Sequence, residues 1–549
     1  MIYTFFIFAT NLITNRIEII CVYITIDVLC SLRYIYISSF IRYLQAAKNL
    51  TAGEVILREE PIAVGPITSS KDPACFACLR LLPKIKKELQ YVCSKYVEII
   101  HSNKYFTQTS SLNFLFKHEC EIFKRNKDLL INNTENIIGV LLPLRLWLLR
   151  QRDPELWRQV ESMEAHTDKR RNTSVWKDRE LNVVNVIKSL HLVPDDDPSV
   201  SELLQLLCGI LDVNCFELRS PGGLDGLLLR GLYMEASLMA HDCRGNTHLT
   251  ADDNFQLTVY ASLPIKEGDE IYFNYTSSLL GTLGRREHLR GGKYFECECP
   301  LCSDPYEMGS YMSSILCPRC REGYIGMQNP LTKFPYEKGT RWQCNKCKSS
   351  IGGRLVRATL NITRTLIDDV DDYDIKGLET LMAKLSKSFH RNHFLMLSLK
   401  QKLLAAYRKE VATPNPQKKM MQKMSDVCKE MYDMLEIIEP GISRLKGIML
   451  YEMHLPLVLL ANRAYSAREI SSNELASRLE EAGSLLKKSL TMLLLEPVDT
   501  PEGKLAKRAL QELKALNQNI VDVKTINETE ESGNRDRKKL QKNKSNKNK

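Results

Sequence analysis

The chain has 549 residues, of which 44% are hydrophobic and 26% charged, as in a soluble globular protein. At roughly 150 residues per domain, this length excludes a single core and predicts three or four domains. The net charge is +10, but eight Lys or Arg residues and one Asp within 535–549 contribute +7 of it. The body is therefore nearly neutral, and we expect no sequence-specific nucleic-acid binding.

Residues 1–41 form an atypical leader that is rich in Ile, Tyr, Phe and Thr. Charged residues interrupt it at Arg16, Glu18, Asp27 and Arg33. A membrane span needs roughly 20 almost uncharged residues, and a signal peptide needs a basic start and a small-residue cleavage site. The leader has neither pattern. We interpret it as a misannotated gene start, with a membrane anchor as the alternative; no membrane association is expected for the rest of the chain.

Residues 42–74 read as strands, with a turn at Thr51–Gly53, a strand from Glu54 and a stop at Pro61. Residues 123–212 read as a helical segment, because Leu and Trp recur at helical spacing in 143–160 and an apolar run fills 201–211. We assign Trp147 and Trp157 in this segment to the core.

Residues 213–304 contain the densest cluster of chemically distinctive residues. Two strands flank a Gly268–Glu270 turn, and the second strand ends in Tyr275. A C-x-C-x-x-C group follows at Cys297, Cys299 and Cys302. A thiolate zinc site needs four soft ligands, and Cys243 is the nearest upstream candidate for the fourth. Arg285 and Arg286 precede the group on a short helix, and we assign them to a solvated face.

Residues 305–355 contain two C-x-x-C pairs with 23 residues between them. The ligands predicted for this zinc ribbon are Cys317, Cys320, Cys344 and Cys347. In a chain this long, paired spacings of this kind indicate structural zinc in a reducing compartment and not disulfides. A closed four-thiolate site has no open coordination position for catalysis, so this zinc stabilises a small domain.

The C-terminal part divides into two segments. Residues 356–520 carry successive amphipathic runs whose pairing at roughly 35 to 45 residues predicts an all-α, tetratricopeptide-like domain. Residues 521–549 form a Lys/Asn-rich tail that we expect to be disordered. The tail is either a nuclear-import or phosphate-binding segment or a solubilising extension.

The run from Met234 to Cys302, with its His241–Cys243 turn, resembles the catalytic half of the SET domain of the SET and MYND domain family of protein lysine methyltransferases. The ribbon after it is similar to that of the family's arthropod branch. The implied fold class is α+β: a β-rich SET core, a post-SET zinc cluster, a zinc ribbon and the helical domain.

The resemblance also implies site residues. Tyr275 would be the catalytic tyrosine, and Asn214, Ala240, His241 and Phe295 would bind S-adenosyl-L-methionine.

The chain departs from the family pattern in the region that would bind this cofactor. Ala240 stands where the family has asparagine, Lys293 stands where it often has tyrosine, and the Gly-x-Gly loop expected before the strand at 54–57 is missing. Alanine at position 240 cannot make the asparagine's side-chain hydrogen bond to the cofactor, and a bond of this kind is worth ~1 kcal/mol. These departures favour a catalytically weak or inactive protein.

Residues 75–122 occupy the position of the family's MYND zinc module, in degenerate form. One zinc site is predicted here, with the ligands Cys75, Cys78, His118 and Cys120. A metal-free insert is the alternative.

We therefore expect a methyltransferase of the nucleus and cytoplasm that transfers methyl groups from S-adenosyl-L-methionine to lysine side chains of proteins, histone or non-histone, in regulation of gene expression. Zn²⁺ would be its structural metal, and the helical domain would bind protein partners. The competing interpretation is a catalytically weak or inactive SET-domain protein that acts as a zinc-containing interaction adaptor or transcriptional repressor.

Overall fold

The computed structural model of the protein describes residues 32–37, 41–67, 79, 122, 134–194, 199–221 and 227–547. The four predicted zinc ligands of the MYND-like segment, Cys75, Cys78, His118 and Cys120, lie outside these residues, as does most of the leader. The part of the leader that is described, Leu32–Ile37, pairs with the next strand along the chain, and Leu32 is buried against the core.

The N-terminal half is built on small sheets. Its strands are β1 Leu32–Ile37, β2 Ile41–Ala46, β3 Val55–Glu59, β4 Ala63–Pro66, β5 Phe216–Arg219, β6 Leu228–Leu232, β7 Ala240–His241, β8 Thr247–Ala251, β9 Leu257–Ala261 and β10 Tyr272–Phe273. The antiparallel sheets have the orders β1-β2, β3-β9-β8 and β4-β6-β5, while β7 and β10 pair in parallel. The alternating burial of β8 and β9 fits a sheet with one face on the core.

Helices between β4 and β5 cover these sheets, as the sequence predicts. They are α1 Thr134–Arg152, α2 Pro154–Glu161, α3 Thr167–Arg170, α4 Ser174–Arg179, a π-helical turn Glu180–Val184, α5 Asn185–Ser189 and α6 Ser199–Asn214. Trp147 and Trp157 are buried, which confirms their assignment to the core. Asp212 on α6 accepts hydrogen bonds from Arg170, Arg179 and Arg230 at 2.9–3.1 Å and joins the helices to β6.

The zinc-cluster region and the ribbon follow directly after β10. Their elements are α7 Thr282–Gly292, α8 Pro300–Ser303, a 3-10 turn Glu307–Gly309, β11 Ile315–Leu316, β12 Tyr324–Met327, β13 Arg341–Cys344 and β14 Ser350–Gly352. The last four strands form one antiparallel sheet in sequence order, so the ribbon is a meander.

The C-terminal part is all-helical. It comprises α9 Gly353–Asp368, α10 Ile375–Leu385, α11 Phe394–Val411, α12 Lys418–Ile438, α13 Arg444–Ser466, α14 Ser472–Leu493 and α15 Pro501–Lys547. One continuous set of buried residues runs from the cysteine clusters through α13, so these modules share a core. Among the described residues, no helix combines the length and the apolar character needed to cross a membrane.

The last helix corrects the prediction of a disordered tail from residue 521, because α15 continues to Lys547. Ile520 is buried against the preceding helices, so the start of this segment is anchored by packing. The residues beyond it are mostly Lys, Arg, Glu, Gln and Asn, without a proline, and most of these have high helix propensity.

Candidate active site and zinc clusters

The candidate site begins where β7 and β10 lie side by side. Their parallel register places Phe273 opposite His241, so the chain leaving β10 passes the histidine. The backbone N–H of Tyr275 donates to Nδ1 of His241 over 3.0 Å, and the two rings lie 5.0 Å apart. The ring of Phe295 lies 5.7 Å from that of His241 on another side. The structure thus brings Tyr275, His241 and Phe295 together.

His241 has a fixed tautomer in this arrangement. Burial lowers the pKa of His241 to about 4, so the ring is neutral at pH 7. Because Nδ1 accepts from Tyr275, the proton resides on Nε2, which lies 3.3 Å from Sγ of Cys243. His241 is therefore not a metal ligand; it connects a cluster cysteine to the backbone of the candidate catalytic tyrosine.

The hydroxyl of Tyr275 donates to the backbone carbonyl of Met239. Burial raises the pKa of Tyr275 to about 12, so the phenol keeps its proton throughout the physiological range. A neutral phenol cannot take a proton from a lysine as a general base at pH 7. It can orient groups and present a partial negative charge through its oxygen.

A cleft of about 1080 Å³ runs between the β-rich half and the helical domain. Asn214, Tyr275 and Lys293 line it on one side, and residues around Arg444 and Glu502 line it on the other. His241 and Phe295 are not lining residues and pack behind Tyr275. The cleft is large enough for a cofactor and an extended side chain together.

Asn214 is the last residue of α6, two residues before β5 begins at Phe216. Its amide nitrogen donates to the carbonyls of Glu164 and Ile210, both over 2.8 Å. A ligand in the cleft would therefore meet the carbonyl oxygen of Asn214. Ala240 sits in β7 opposite Tyr272 and offers no polar side-chain atom.

The helical domain is fastened to the cleft by a buried ion-pair network. Glu496 accepts from Arg444 over 2.8 and 2.9 Å and contacts Nε2 of His248 at 2.9 Å. Although burial raises the pKa of Glu496, the His248 hydrogen bond and the Arg444 charge lower it overall. Because His248 belongs to β8, this network fixes the position of the helices relative to the site.

The first cysteine cluster forms as predicted from Cys243, Cys297, Cys299 and Cys302, whose sulfurs all lie within 4.8 Å of one another. Two of the separations are 3.5 and 3.8 Å. Zn–S bonds of about 2.3 Å in a tetrahedron place sulfurs roughly 3.8 Å apart, so the four thiols fit zinc. Gly245, at φ +55°, allows the tight turn that aims Cys243 at the other three.

The second cluster also forms as predicted, from Cys317, Cys320, Cys344 and Cys347. The Cys317–Cys347 and Cys320–Cys344 sulfur separations are 3.6 and 3.8 Å. Two N–H groups, of Lys346 and Cys347, point at the sulfur of Cys344, as in zinc knuckles that stabilise thiolate charge.

Arg285 and Arg286 are fully buried, so their assignment to a solvated face is wrong. The guanidinium of Arg285 lies 3.8 Å from Sγ of Cys302 and 3.5 Å from the carboxylate of Glu307. Its positive charge offsets the negative charge that four thiolates and one Zn²⁺ would carry. Arg286 donates to the ribbon carbonyl of Pro330 over 2.8 Å.

The burial of this helix face had a signal in the sequence. The buried residues of α7 have the spacing of one helical face; they are Thr282, Arg285, Arg286 and Leu289. Sequence reasoning missed it because arginine is rarely fully buried.

The sequence of the chain is similar to those of known proteins. The SET domain family model matches residues 42–276, which end one residue after Tyr275. "SET domain-containing protein SmydA-8, isoform A" of Drosophila melanogaster is 25% identical over 311 residues, covering 55% of this chain and 62% of that protein. The chain thus spans somewhat less than two thirds of the length of this relative.

Two mammalian relatives are also similar. "N-lysine methyltransferase SMYD2" of Homo sapiens is 29% identical over 26% of this chain and 32% of its own length. "Histone-lysine N-methyltransferase SMYD3" of Mus musculus is 20% identical over 62% of this chain and 74% of its own length. A solved structure of the SET domain of LSMT bound to lysine and AdoHcy aligns with 79% of this chain and 89% of its own chain at 11% identity. The TM-score of this alignment is 0.26, which is too low to establish a shared fold.

Residues 42–276 thus match a SET domain, and the chain is similar to the SET-domain protein of Drosophila melanogaster and to the two mammalian methyltransferases.

Proposed function

We propose that the protein is a protein-lysine N-methyltransferase that uses S-adenosyl-L-methionine. The observation that carries the proposal is the placement of Tyr275 at the cleft, with its backbone held by His241 and its hydroxyl held by Met239. The names of the human and mouse relatives, which are lysine methyltransferases, support the reaction class.

The residues of the site suit methyl transfer without a covalent intermediate. S-adenosyl-L-methionine would supply a methyl group bonded to a positively charged sulfur. Asn214 and Tyr275 would contact that cofactor and the target amine in the cleft, and the rings of His241 and Phe295 would hold Tyr275 in place from behind. Positioning of this kind lowers the barrier to transfer. The hydroxyl oxygen of Tyr275 would face the positive charge of the methyl group. Because Tyr275 keeps its own proton, the amine would lose its proton to water.

The substrate class, the partners and the location in the cell belong to the same proposal. Histones are the first protein substrates in this proposal, because the mouse relative is named a histone-lysine methyltransferase. Regulation of gene expression is the corresponding process. Protein partners would bind the helical domain, and the protein would act in nucleus and cytoplasm.

The test is calorimetric titration of the zinc-loaded full chain with S-adenosyl-L-methionine. Micromolar or tighter binding that is lost in Phe295→Ala, followed by methylation of histone peptides that falls roughly a hundredfold in Tyr275→Phe, supports the proposal. No binding by the folded, zinc-loaded protein contradicts it. That result would favour the adaptor function, for which Ala240 is the specific observation, since it removes a polar side chain from the site.

A further inference from the structure

Lys293 is a charged group of the cleft that neither the zinc clusters nor the Tyr275–His241 pair uses. It ends α7, where its backbone N–H donates to the carbonyl of Leu289 over 2.8 Å. Its side chain is half-buried and lines the cleft beside Tyr275. The helix end thus directs a lysine amine into the candidate active site.

Two contacts fix the position of this amine. Nζ of Lys293 lies 5.6 Å from the centre of the Tyr275 ring, within the range of a cation–π contact. Nζ also donates to the backbone carbonyl of Val213, the residue before Asn214. The amine therefore lies between the candidate catalytic tyrosine and the C-terminal end of α6, which carries the candidate cofactor residue Asn214.

Within the described part of the chain, no carboxylate forms an ion pair with Lys293. Asp212 is near in sequence to Val213, but Arg170, Arg179 and Arg230 already bind it. Burial lowers the pKa of Lys293 below its usual range, which increases the fraction of neutral amine. A methyl acceptor must be a neutral amine, and a free lysine with a pKa of about 10.4 is almost entirely charged at pH 7.

We propose that Lys293 is a methyl acceptor of its own active site, so that the protein methylates its own chain at this residue. The inference rests on the proposed methyltransferase function and names one substrate of that site. The lone pair of neutral Nζ attacks the methyl carbon of S-adenosyl-L-methionine. The N–C bond forms, the C–S bond breaks with its electron pair on sulfur, S-adenosylhomocysteine leaves, and one N–H proton passes to water.

The principal experiment requires no knowledge of an external substrate. The zinc-loaded full chain is incubated with S-adenosyl-L-methionine carrying a deuterated methyl group, and its peptides are analysed by mass spectrometry. We expect labelled methyl on Lys293, at a fractional rate that does not change with protein concentration, because donor and acceptor sites are in one molecule. Lys293→Arg and Tyr275→Phe should each abolish this label.

Lys169 is the matched control. It is exposed, and its Nζ donates to the carbonyl of Tyr294, so it lies near Lys293 in space but does not line the cleft. We expect no label on Lys169 and an unchanged Lys293 label in Lys169→Arg.

A second readout does not depend on turnover. Acetic anhydride acylates accessible neutral amines, and saturating S-adenosylhomocysteine should reduce acylation of Lys293 several-fold while leaving Lys169 unchanged. Two results would overturn the inference and leave the proposed function intact. In the first, the cofactor binds but Lys293 is neither labelled nor protected. In the second, Lys293 is labelled at a fractional rate that rises with protein concentration. Failure of the folded, zinc-loaded chain to bind S-adenosyl-L-methionine would overturn both.

Discussion

Nδ1 of His241 accepts the backbone N–H of Tyr275 over 3.0 Å, while Nε2 of the same ring lies 3.3 Å from Sγ of Cys243. A single imidazole thus links a zinc-cluster cysteine to the residue at the cleft. We therefore expect loss of the metal to disturb the position of Tyr275, which makes His241 the first position to test.

His241→Ala removes both hydrogen bonds and leaves the Tyr275 N–H without its acceptor. We expect affinity for S-adenosyl-L-methionine to fall at least about tenfold, which corresponds to ~1.4 kcal/mol, and zinc affinity to fall by a similar factor. Calorimetry and competition with a chromogenic chelator measure the two effects. The exposed His191 provides the control, since His191→Ala should change neither. Wild-type affinities in His241→Ala would show that the link carries no coupling.

Arg285→Met tests the buried cation beside the first cysteine cluster. Removal of the guanidinium leaves the thiolate charge near Cys302 and the carboxylate of Glu307 without their counter-charge. We expect zinc affinity to fall roughly ten- to a hundredfold and the free energy of unfolding to fall by ~3 kcal/mol or more. Chelator competition and chemical denaturation measure these changes.

The control for this variant lies on the same helix. Arg290 is largely exposed and binds only Glu296 in the described structure, so Arg290→Met should leave zinc affinity unchanged. Equal effects of the two substitutions would mean that helix stability, and not charge beside the thiolates, determines the result.

Glu496→Gln tests the attachment of the helical domain to the cleft. The substitution removes the charge that pairs with Arg444 and His248 while it keeps the size of the side chain. We expect a loss of about 1–3 kcal/mol in the free energy of unfolding and faster proteolysis near residue 496, because buried donors lose a charged acceptor. Glu481 on α14 is exposed, and Glu481→Gln should show neither change. An unchanged proteolysis rate in Glu496→Gln would show that this ion-pair network does not attach the helical domain to the β-rich half.

His393 predicts a dependence of stability on pH. Complete burial, with a smaller contribution from His390, lowers the pKa of His393 to about 3. Because the folded pKa lies below the unfolded value of 6.5, this contribution to stability is complete above pH 6.5 and is lost as pH falls towards 3. Between pH 7.5 and 4.5 the loss is about 2–3 kcal/mol, at ~1.4 kcal/mol per pH unit.

His393→Asn is the variant that isolates this effect. The His393 side chain caps α11 by accepting the N–H of Leu395, and asparagine can cap a helix in the same way without titrating. Denaturation curves across the pH range should therefore show a shallower acid slope for the variant, whatever its absolute stability at pH 7.5. Parallel slopes for the two proteins would assign the acid lability to other groups.

The sequence by itself determined the parts of the protein that depend on local spacing. Two cysteines separated by one or two residues bring their sulfurs close together in almost any turn, so seven of the eight cluster cysteines could be predicted from their spacing. The eighth, Cys243, is distant in sequence and was predicted as the nearest upstream cysteine. The position of Tyr275 at the end of a strand beside the His241 turn followed from the same kind of local pattern.

Tertiary structure decided which faces and atoms these residues present. The burial of Arg285 depends on Glu307 and the ribbon, and the amide nitrogen of Asn214 is held by the carbonyl of Glu164. The amine of Lys293 lies beside Tyr275 because α7 ends next to the C-terminal end of α6. Each of these contacts joins segments distant in sequence, and no periodicity within one segment encodes its partner. The extension of the last helix to Lys547 is the opposite case: composition argued for disorder, while helix propensity and the anchoring of Ile520 favour the helix.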